Sequence, residues 1–346
     1  MDNNSDKKLG IALVGLGTYS SGELAPALKE TSHCYLAGVV SGAREKREQW
    51  KQEHNLKDDN VYSYENFDSI RDNPEIDIVY VVLPNSMHKE FVIRAANAGK
   101  HVICEKPMAT TISDCQQMME TCQNAGVMLS VGYRLHFDPF NQEMMRLGQN
   151  DKLGKINKVI AKNGMDVGNK DQWRLNKEKA GGGPLMDLGV YCIQGAIYTT
   201  GSLPIAVNAK FSKKTDPEKF KDVEEGIEWE MDFVEGVVAQ CECSYSKELN
   251  VLRAETQHGW FELQPAYEYR GLVGNTSEGP MEFPHYRQQA RQMDEFAQCV
   301  MQRKESRVPG EMGMRDVEIL MAIYQSATSG QRVELHLERY EHMIES

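Results

Sequence analysis

The turn VGLGTYSSG places Gly15 and Gly17 one residue apart, directly after the apolar run LGIALV (Leu9–Val14), with Ser20 where a third small residue completes a dinucleotide fingerprint. Glycines in that spacing permit a tight turn and let backbone N–H groups approach a pyrophosphate at a helix N-terminus, so the chemistry they point to is nucleotide binding. The end of the next apolar run bears on which nucleotide. An NAD site carries an Asp or Glu there for the ribose 2'-hydroxyl, whereas this chain reads VVSGAREKREQW, with Ser41, Arg44 and Lys46 in place of the carboxylate. A hydroxyl and two cations suit a 2'-phosphate, which favours NADP over NAD. Arg44 and Lys46 also fit the solvated face of a charged helix.

Two further segments follow apolar runs. PNSMH at 84–88 comes after IDIVYVVL, and CEKP at 104–107 ends the run that begins HVI. Open α/β sheets bind ligands beyond the carboxyl ends of their strands, so Asn85, His88, Glu105 and Lys106 can face one cofactor together. Asn85 and Ser86 would serve equally as helix caps, and a Lys-Pro pair as an exposed turn. No HExxH, paired carboxylate motif or Cys/His cluster is present, so the chemistry is expected to need a nicotinamide and no metal.

The elements that must position these residues alternate. Strand-like runs at 35–40, 76–84, 101–104 and 128–133 are interleaved with helical segments from about residue 20, at 43–54 and at 112–124, which predicts a doubly wound parallel sheet over 1–132. The pattern then changes. A helix near 137–147, a strand in INKVIAKNGM and a helix after the triple glycine 181–183 precede IEWEMDF, GVVAQCECSYS, NVLRAETQ and WFELQ, strands separated by short turns. Helices at 286–303 and 313–329 close the chain. The expectation is an α/β Rossmann domain followed by an α+β domain over 133–346 with a large, mostly antiparallel sheet. Cys241 and Cys243 share one face of a strand by their period-2 spacing and read as packing.

Bulk properties exclude several classes. With 346 residues, 40% hydrophobic and 26% charged, the chain reads as an ordinary two-domain globular protein. The balance of 39 Lys+Arg against 51 Asp+Glu leaves −12 and no basic tract, which argues against nucleic acid. No apolar stretch approaches the ~20 residues of a membrane span, and the first residues lack an export-type apolar segment, so a cytoplasmic location is expected.

VGLG at 14–17, LPNSMH at 83–88, CEKP at 104–107 and GGGPLMDLGVYC at 181–192 together make the chain resemble the Gfo/Idh/MocA oxidoreductases over nearly its whole length. YRLHFDPFN at 133–141, QWR at 172–174 and Tyr191, in place of the histidine most members carry, resemble its glucose-fructose oxidoreductase branch. The resemblance implies NADP-dependent hydride transfer to or from a sugar or cyclic polyol. It implies that Lys106 binds the nicotinamide ribose and substrate hydroxyl and favours the ionised form of Tyr191, the general base, with Asp187 orienting substrate one helical turn before it. It further implies that Thr18, Tyr19, Ser41, Gly42, Lys46, Tyr64, Leu83 and Pro84 line the nucleotide, and that Arg134, Trp173 and Arg174 close over its nicotinamide half. Pairing through the large sheet into a dimer or tetramer is implied as well. Taken alone, Asp187 reads as a helix cap, Tyr191 as a half-buried aromatic, Trp173 as core and Arg174 as a surface pair. Two other functions use the same residues or fold: a trans-dihydrodiol dehydrogenase or carbonyl reductase, and a non-catalytic nucleotide sensor.

Overall fold

The computed structural model describes residues 8–169 and 171–344. They fall into two compact units, one comprising the chain up to Arg134 joined by Arg287–Gly313, the other Leu135–Tyr286 and the chain from Met314. In the first unit, β1 (Leu9–Val14), β2 (Cys34–Val40), β3 (Val61–Tyr62), β4 (Ile78–Val81), β5 (His101–Cys104) and β6 (Leu129–Val131) form one parallel sheet. Their order is β3-β2-β1-β4-β5-β6. The chain reverses its direction of travel between β1 and β4, and at such a switch point an open sheet leaves a crevice at its carboxyl edge. All of β1 is buried, as a central strand covered on both faces must be. Connecting segments include α1 (Ala25–Leu28), α2 (Arg44–His54), α3 (His88–Asn97) and α4 (Ile112–Ala125). The two-residue β3 is too short to show as a hydrophobic period, so the strand predicted at 76–84 as the third is the fourth.

The second unit is built on a nine-stranded sheet, β7 (Ile156–Gly164), β8 (Pro204–Phe211), β9 (Gly226–Phe233), β10 (Val238–Ser244), β11 (Leu249–Thr256), β12 (Trp260–Leu263), β13 (Gly274–Thr276), β14 (Gly279–Pro280) and β15 (Val333–Glu334). Its order is β14-β13-β12-β11-β7-β10-β9-β8-β15, with β7 and β10 its one parallel pair among the described residues. In β9 the alternate residues Ile227, Trp229, Met231 and Phe233 are buried, so one face of the sheet is covered. Of α5 (Pro139–Gln149), α6 (Lys177–Ala180) and α7 (Val190–Thr200), the last packs on β7, β10 and β11. The other face carries ion pairs, Lys162 with Glu242 at 2.9 Å, Lys210 with Glu228 at 3.0 Å and Arg253 with Glu262 at 2.8 Å.

Two helices follow, α8 (Gln288–Gln302) and α9 (Gly310–Ser329). The spacing predicts an unbroken second domain over 133–346; α8 departs from it. Ala290, Met293, Phe296 and Ala297 pack into the core formed by Leu9, Ile11, Leu13, Leu24 and Leu28, and burying each large side chain contributes about 1.5–3 kcal/mol. Asp294 fastens the same helix by accepting the backbone N–H groups of Ser32 and His33, each at 2.8 Å. Apolar periodicity locates a helix but does not say which core receives it. Among the described residues, no helix is long and apolar enough to cross a membrane.

Candidate active site

Gly15 ends β1 with φ +97°, and a Cβ there would lie 2.2 Å from the Val82 carbonyl oxygen, so both the turn and the strand beside it demand glycine. Gly17 is different. It is exposed, its φ is not left-handed, and a Cβ would meet nothing within 4 Å, so its missing side chain serves no internal packing and leaves bare backbone facing outward. Ser20, standing at the third fingerprint position, is buried and its hydroxyl donates to the Gly15 carbonyl at 2.6 Å, tying the turn to the helix that follows. That helix begins as a π turn, Ser20–Leu24. Thr18 is exposed and Tyr19 half-buried beside the turn.

At the tip of β2 stands Ser41, where an NAD site carries a carboxylate, and Glu45 follows in the first turn of α2. Ser41 is buried, its carbonyl accepts Arg47 Nη1 at 2.6 Å, and Arg44 and Lys46 are exposed in the first turn of α2. Arg47 is held against this strand end, although it lies one residue beyond the Ser41, Arg44 and Lys46 set that the sequence points to. Gly42 lies under the Tyr64 ring, where a Cβ would come within 3.1 Å. Bare glycines at the turn, a buried hydroxyl and three cations at the strand tip together fit a dinucleotide carrying a 2'-phosphate.

Several candidates at the ends of β4 and β5 face inward. His88 was expected to reach the cofactor, but it is fully buried and both ring nitrogens lie against backbone carbonyls, Nε2 2.9 Å from Leu83 and Nδ1 3.0 Å from Pro107. It joins the Leu83–Pro84 loop to the Lys106–Pro107 loop, and burial holds its pKa below the ordinary value. Glu105 also turns in, its carboxylate accepting the Tyr80 hydroxyl at 2.7 Å. Arg134, expected to close over the nicotinamide, is buried and donates to the Gln288 carboxamide. Asn85 is buried at the start of a short 3-10 turn, and α3 opens without a side-chain cap. Lys106 is half-buried, next to a cis peptide bond to Pro107.

In the second unit the segment Leu185–Gly189 forms a π turn that runs directly into α7. The spacing predicts Asp187 and Tyr191 one α-helical turn apart; the widened turn changes that register, and such bulges recur at functional sites. Asp187 Oδ2 accepts Arg174 Nε at 2.9 Å and the Tyr245 hydroxyl at 3.1 Å. Arg174, expected over the nicotinamide, is therefore an ion-pair partner of Asp187 that also stacks on half-buried Trp173, 4.8 Å from the ring centroid. The Asp187 carboxylate in turn raises the pKa of Arg174, and burial raises that of Tyr245. Tyr245 was missed, although period 2 from Cys241 and Cys243, both buried, places it on the covered face. Tyr191 is 8% exposed, its ring 6.1 Å from that of Tyr267.

Capping belongs to a residue with no sequence signal, Glu224. Its carboxylate accepts the N–H groups of Gly183 at 3.0 Å and Leu185 at 3.1 Å and the Tyr324 hydroxyl at 2.8 Å, holding negative charge at the start of the helical run. The triple glycine follows from this contact. Gly181 caps α6 with φ +80°, a Cβ on Gly182 would lie 2.0 Å from the Tyr324 hydroxyl, and one on Gly183 would lie 2.5 Å from the Glu224 carbonyl. Among the described residues, no group of three or more His, Cys, Asp or Glu could hold a metal ion.

Comparison with known proteins adds to this geometry. Residues 9–133 match the oxidoreductase family model for an NAD-binding Rossmann fold, 141–259 the GFO/IDH/MocA C-terminal domain, and 275–335 the oxidoreductase family C-terminal alpha/beta domain. The chain is similar to the aldose-aldose oxidoreductase of Caulobacter crescentus, solved in complex with glycerol, with 40% identity over 95% of this chain and 100% of that one and a TM-score of 0.92. It is 27% identical to a D-xylose 1-dehydrogenase [NADP(+)] of Haloarcula marismortui over 96% of this chain and 94% of that protein. A D-glucoside 3-dehydrogenase of Escherichia coli is 29% identical over 75% of this chain and 79% of its own length.

Proposed function

The chain belongs to the Gfo/Idh/MocA oxidoreductases, and from that premise we propose that it is an NADP-dependent enzyme moving hydride between the nicotinamide and a sugar or cyclic polyol. The observation that carries the reading is the π turn that holds Asp187 on Arg174 and Tyr245 immediately before Tyr191. A carboxylate with two fixed donors on one oxygen keeps its remaining lone pairs in a defined direction, which is what orienting a sugar hydroxyl requires. Tyr191 acts as general base on that hydroxyl and returns the proton in the reverse direction, while Lys106 binds the nicotinamide ribose and the substrate oxygen. When bound, the nicotinamide supplies the carbon that accepts or donates hydride. Ser41, Arg44, Lys46 and Arg47 select the 2'-phosphate. The names of the similar proteins support sugars as the substrate class, and cytoplasmic residence belongs to the same reading.

The protein should reduce NADP, and NAD poorly, with at least one member of a panel of aldoses, glycosides and anhydrosugars, read by the absorbance of reduced nicotinamide. Bound nucleotide with no turnover on any sugar would leave a sensing role and sink the enzymatic reading. We also propose a homodimer or homotetramer formed on the ion-paired face of the nine-stranded sheet, as the partly exposed pairs Lys162 with Glu242 and Lys210 with Glu228 support. A monomer by light scattering at working concentration removes that part.

A further inference from the structure

Glu105 sits at the end of β5, next to Lys106, with only 8% of its surface exposed. One carboxylate oxygen accepts the Tyr80 hydroxyl at 2.7 Å and the other the Lys106 backbone N–H at 3.2 Å. Tyr80 is fully buried in β4, and its hydroxyl lies 3.4 Å from Gln292 Nε2 on α8. Room for the carboxyl comes from Gly132, where a Cβ would lie 2.7 Å from Oε1. The charged groups facing Glu105 are the Lys106 ammonium and the Arg134 guanidinium, and Tyr19 faces Tyr80. Burial raises the pKa of Glu105, while Tyr80, Lys106 and Arg134 pull it back down.

A buried carboxyl of this kind contributes little to stability, since an apolar residue of similar volume costs no desolvation. Its place is better explained by what it does to charge at the carboxyl edge of the sheet. The nicotinamide ring of NADP⁺ carries one positive charge, and addition of hydride at the ring leaves it neutral. A fixed anion near that ring therefore binds the oxidised form more tightly than the reduced form.

Resting on the nicotinamide reading above, we propose that Glu105, held by Tyr80 and Gln292, is the buried counter-anion of the cofactor edge and biases the bound couple toward NADP⁺. It does so without hydrogen-bonding the nucleotide. In this role it is a positioning and electrostatic residue, and Tyr80 and Gln292 act through it.

The test is binding, independent of turnover. NADP⁺ and NADPH are titrated by fluorescence into wild type, Glu105→Gln and Tyr80→Phe at several pH values, with thermal unfolding as the check on folding. At a pH well above the Glu105 transition, the ratio of the NADPH to the NADP⁺ dissociation constant should fall at least fivefold in Glu105→Gln and stay near wild type in Tyr80→Phe. On acidification the wild-type ratio should fall as Glu105 takes up its proton. Tyr80→Phe removes a donor from the carboxylate, so its fall should come at higher pH, and Glu105→Gln should show none. Ratios agreeing within twofold in all three proteins at every pH would make Glu105 a staple of the Lys106 loop and overturn this inference alone. Wild type that binds neither nucleotide overturns the nicotinamide reading and this inference with it. Should Glu105→Gln not fold, the pH displacement in Tyr80→Phe decides: displaced supports the proposal, unmoved refutes it.

Discussion

Substituting Gly17 by alanine separates what the turn does for the fold from what it does for a ligand. The added methyl meets nothing within 4 Å and the backbone is not left-handed, so the folded state accepts it without strain. Removing a glycine also restricts the unfolded chain, which stabilises by about 0.4–1 kcal/mol where the native backbone is compatible. The melting temperature of the nucleotide-free protein should therefore hold or rise by a degree or so. Binding should move the other way. A methyl on the outward face of the turn keeps the pyrophosphate from the backbone N–H groups, and one charge-assisted hydrogen bond is worth about 1.5–3 kcal/mol, so its loss weakens affinity roughly 10- to 150-fold. The companion Gly15→Ala should behave oppositely in stability: its Cβ would press on the fixed Val82 carbonyl at φ +97°, and overpacking with backbone strain costs about 2–5 kcal/mol. Differential scanning fluorimetry of the nucleotide-free proteins and NADP titration give both quantities. A Gly17→Ala protein that melts normally and binds NADP within threefold of wild type would show that the pyrophosphate does not lie on this turn.

Tyr191→Phe should lower turnover by roughly 10²- to 10⁴-fold with NADP affinity kept, measured on the best sugar of the panel; a wild-type rate removes Tyr191 from proton transfer. Asp187→Asn should cost at least tenfold in turnover, and Tyr245→Phe, which takes away one of its two donors, a smaller factor in the same steady-state assay. Arg47→Ala and the Arg44→Ala, Lys46→Ala double variant should each reduce the preference for NADP over NAD, and a preference unchanged from wild type in all of them would misplace the 2'-phosphate. Glu225 accepts Thr215 N at 2.5 Å and the hydroxyls of Thr215 and Ser246, each at 2.6 Å; burial raises the pKa of its carboxyl, and these bonds together outweigh burial and hold it below the usual value of 4.5. The stability it adds is present above pH 4.5 and is lost as pH falls through the depressed folded value, so Glu225→Gln should flatten the acid side of the melting-temperature profile.

Local features of the site were legible because local chemistry dictates them. Gly15 and Gly17 announce a turn whose φ and open face belong to the glycines themselves, and the serine in place of an acidic side chain at the tip of β2 needs no tertiary knowledge. Side-chain direction was not legible. His88 and Glu105 have the residue types and strand-end positions of cofactor ligands, yet the carbonyls of Leu83 and Pro107 and the hydroxyl of Tyr80 draw them inward, and those partners lie 5, 19 and 25 residues away. The same holds for Asp187, whose donors come from Arg174 and from Tyr245 58 residues later, and for Glu224, which caps a helix that begins some forty residues before it. The large sheet was legible in β7 and β9 to β12, whereas β13, β14 and β15 carry too few residues to display a period and the alternation of eight-residue β8 is broken by an irregularity after Pro204.

The return of α8 to the first sheet has a consequence for synthesis. Leu9, Ile11 and Leu13 leave the ribosome early, but Met293 and Phe296, which cover them, are translated only after the whole nine-stranded sheet except β15. The nascent nucleotide unit therefore waits with part of its apolar core open while the second unit is being made. Chaperones have their longest access to it in that interval, and a fragment ending at Arg134, lacking those side chains, should aggregate where the full chain stays dispersed.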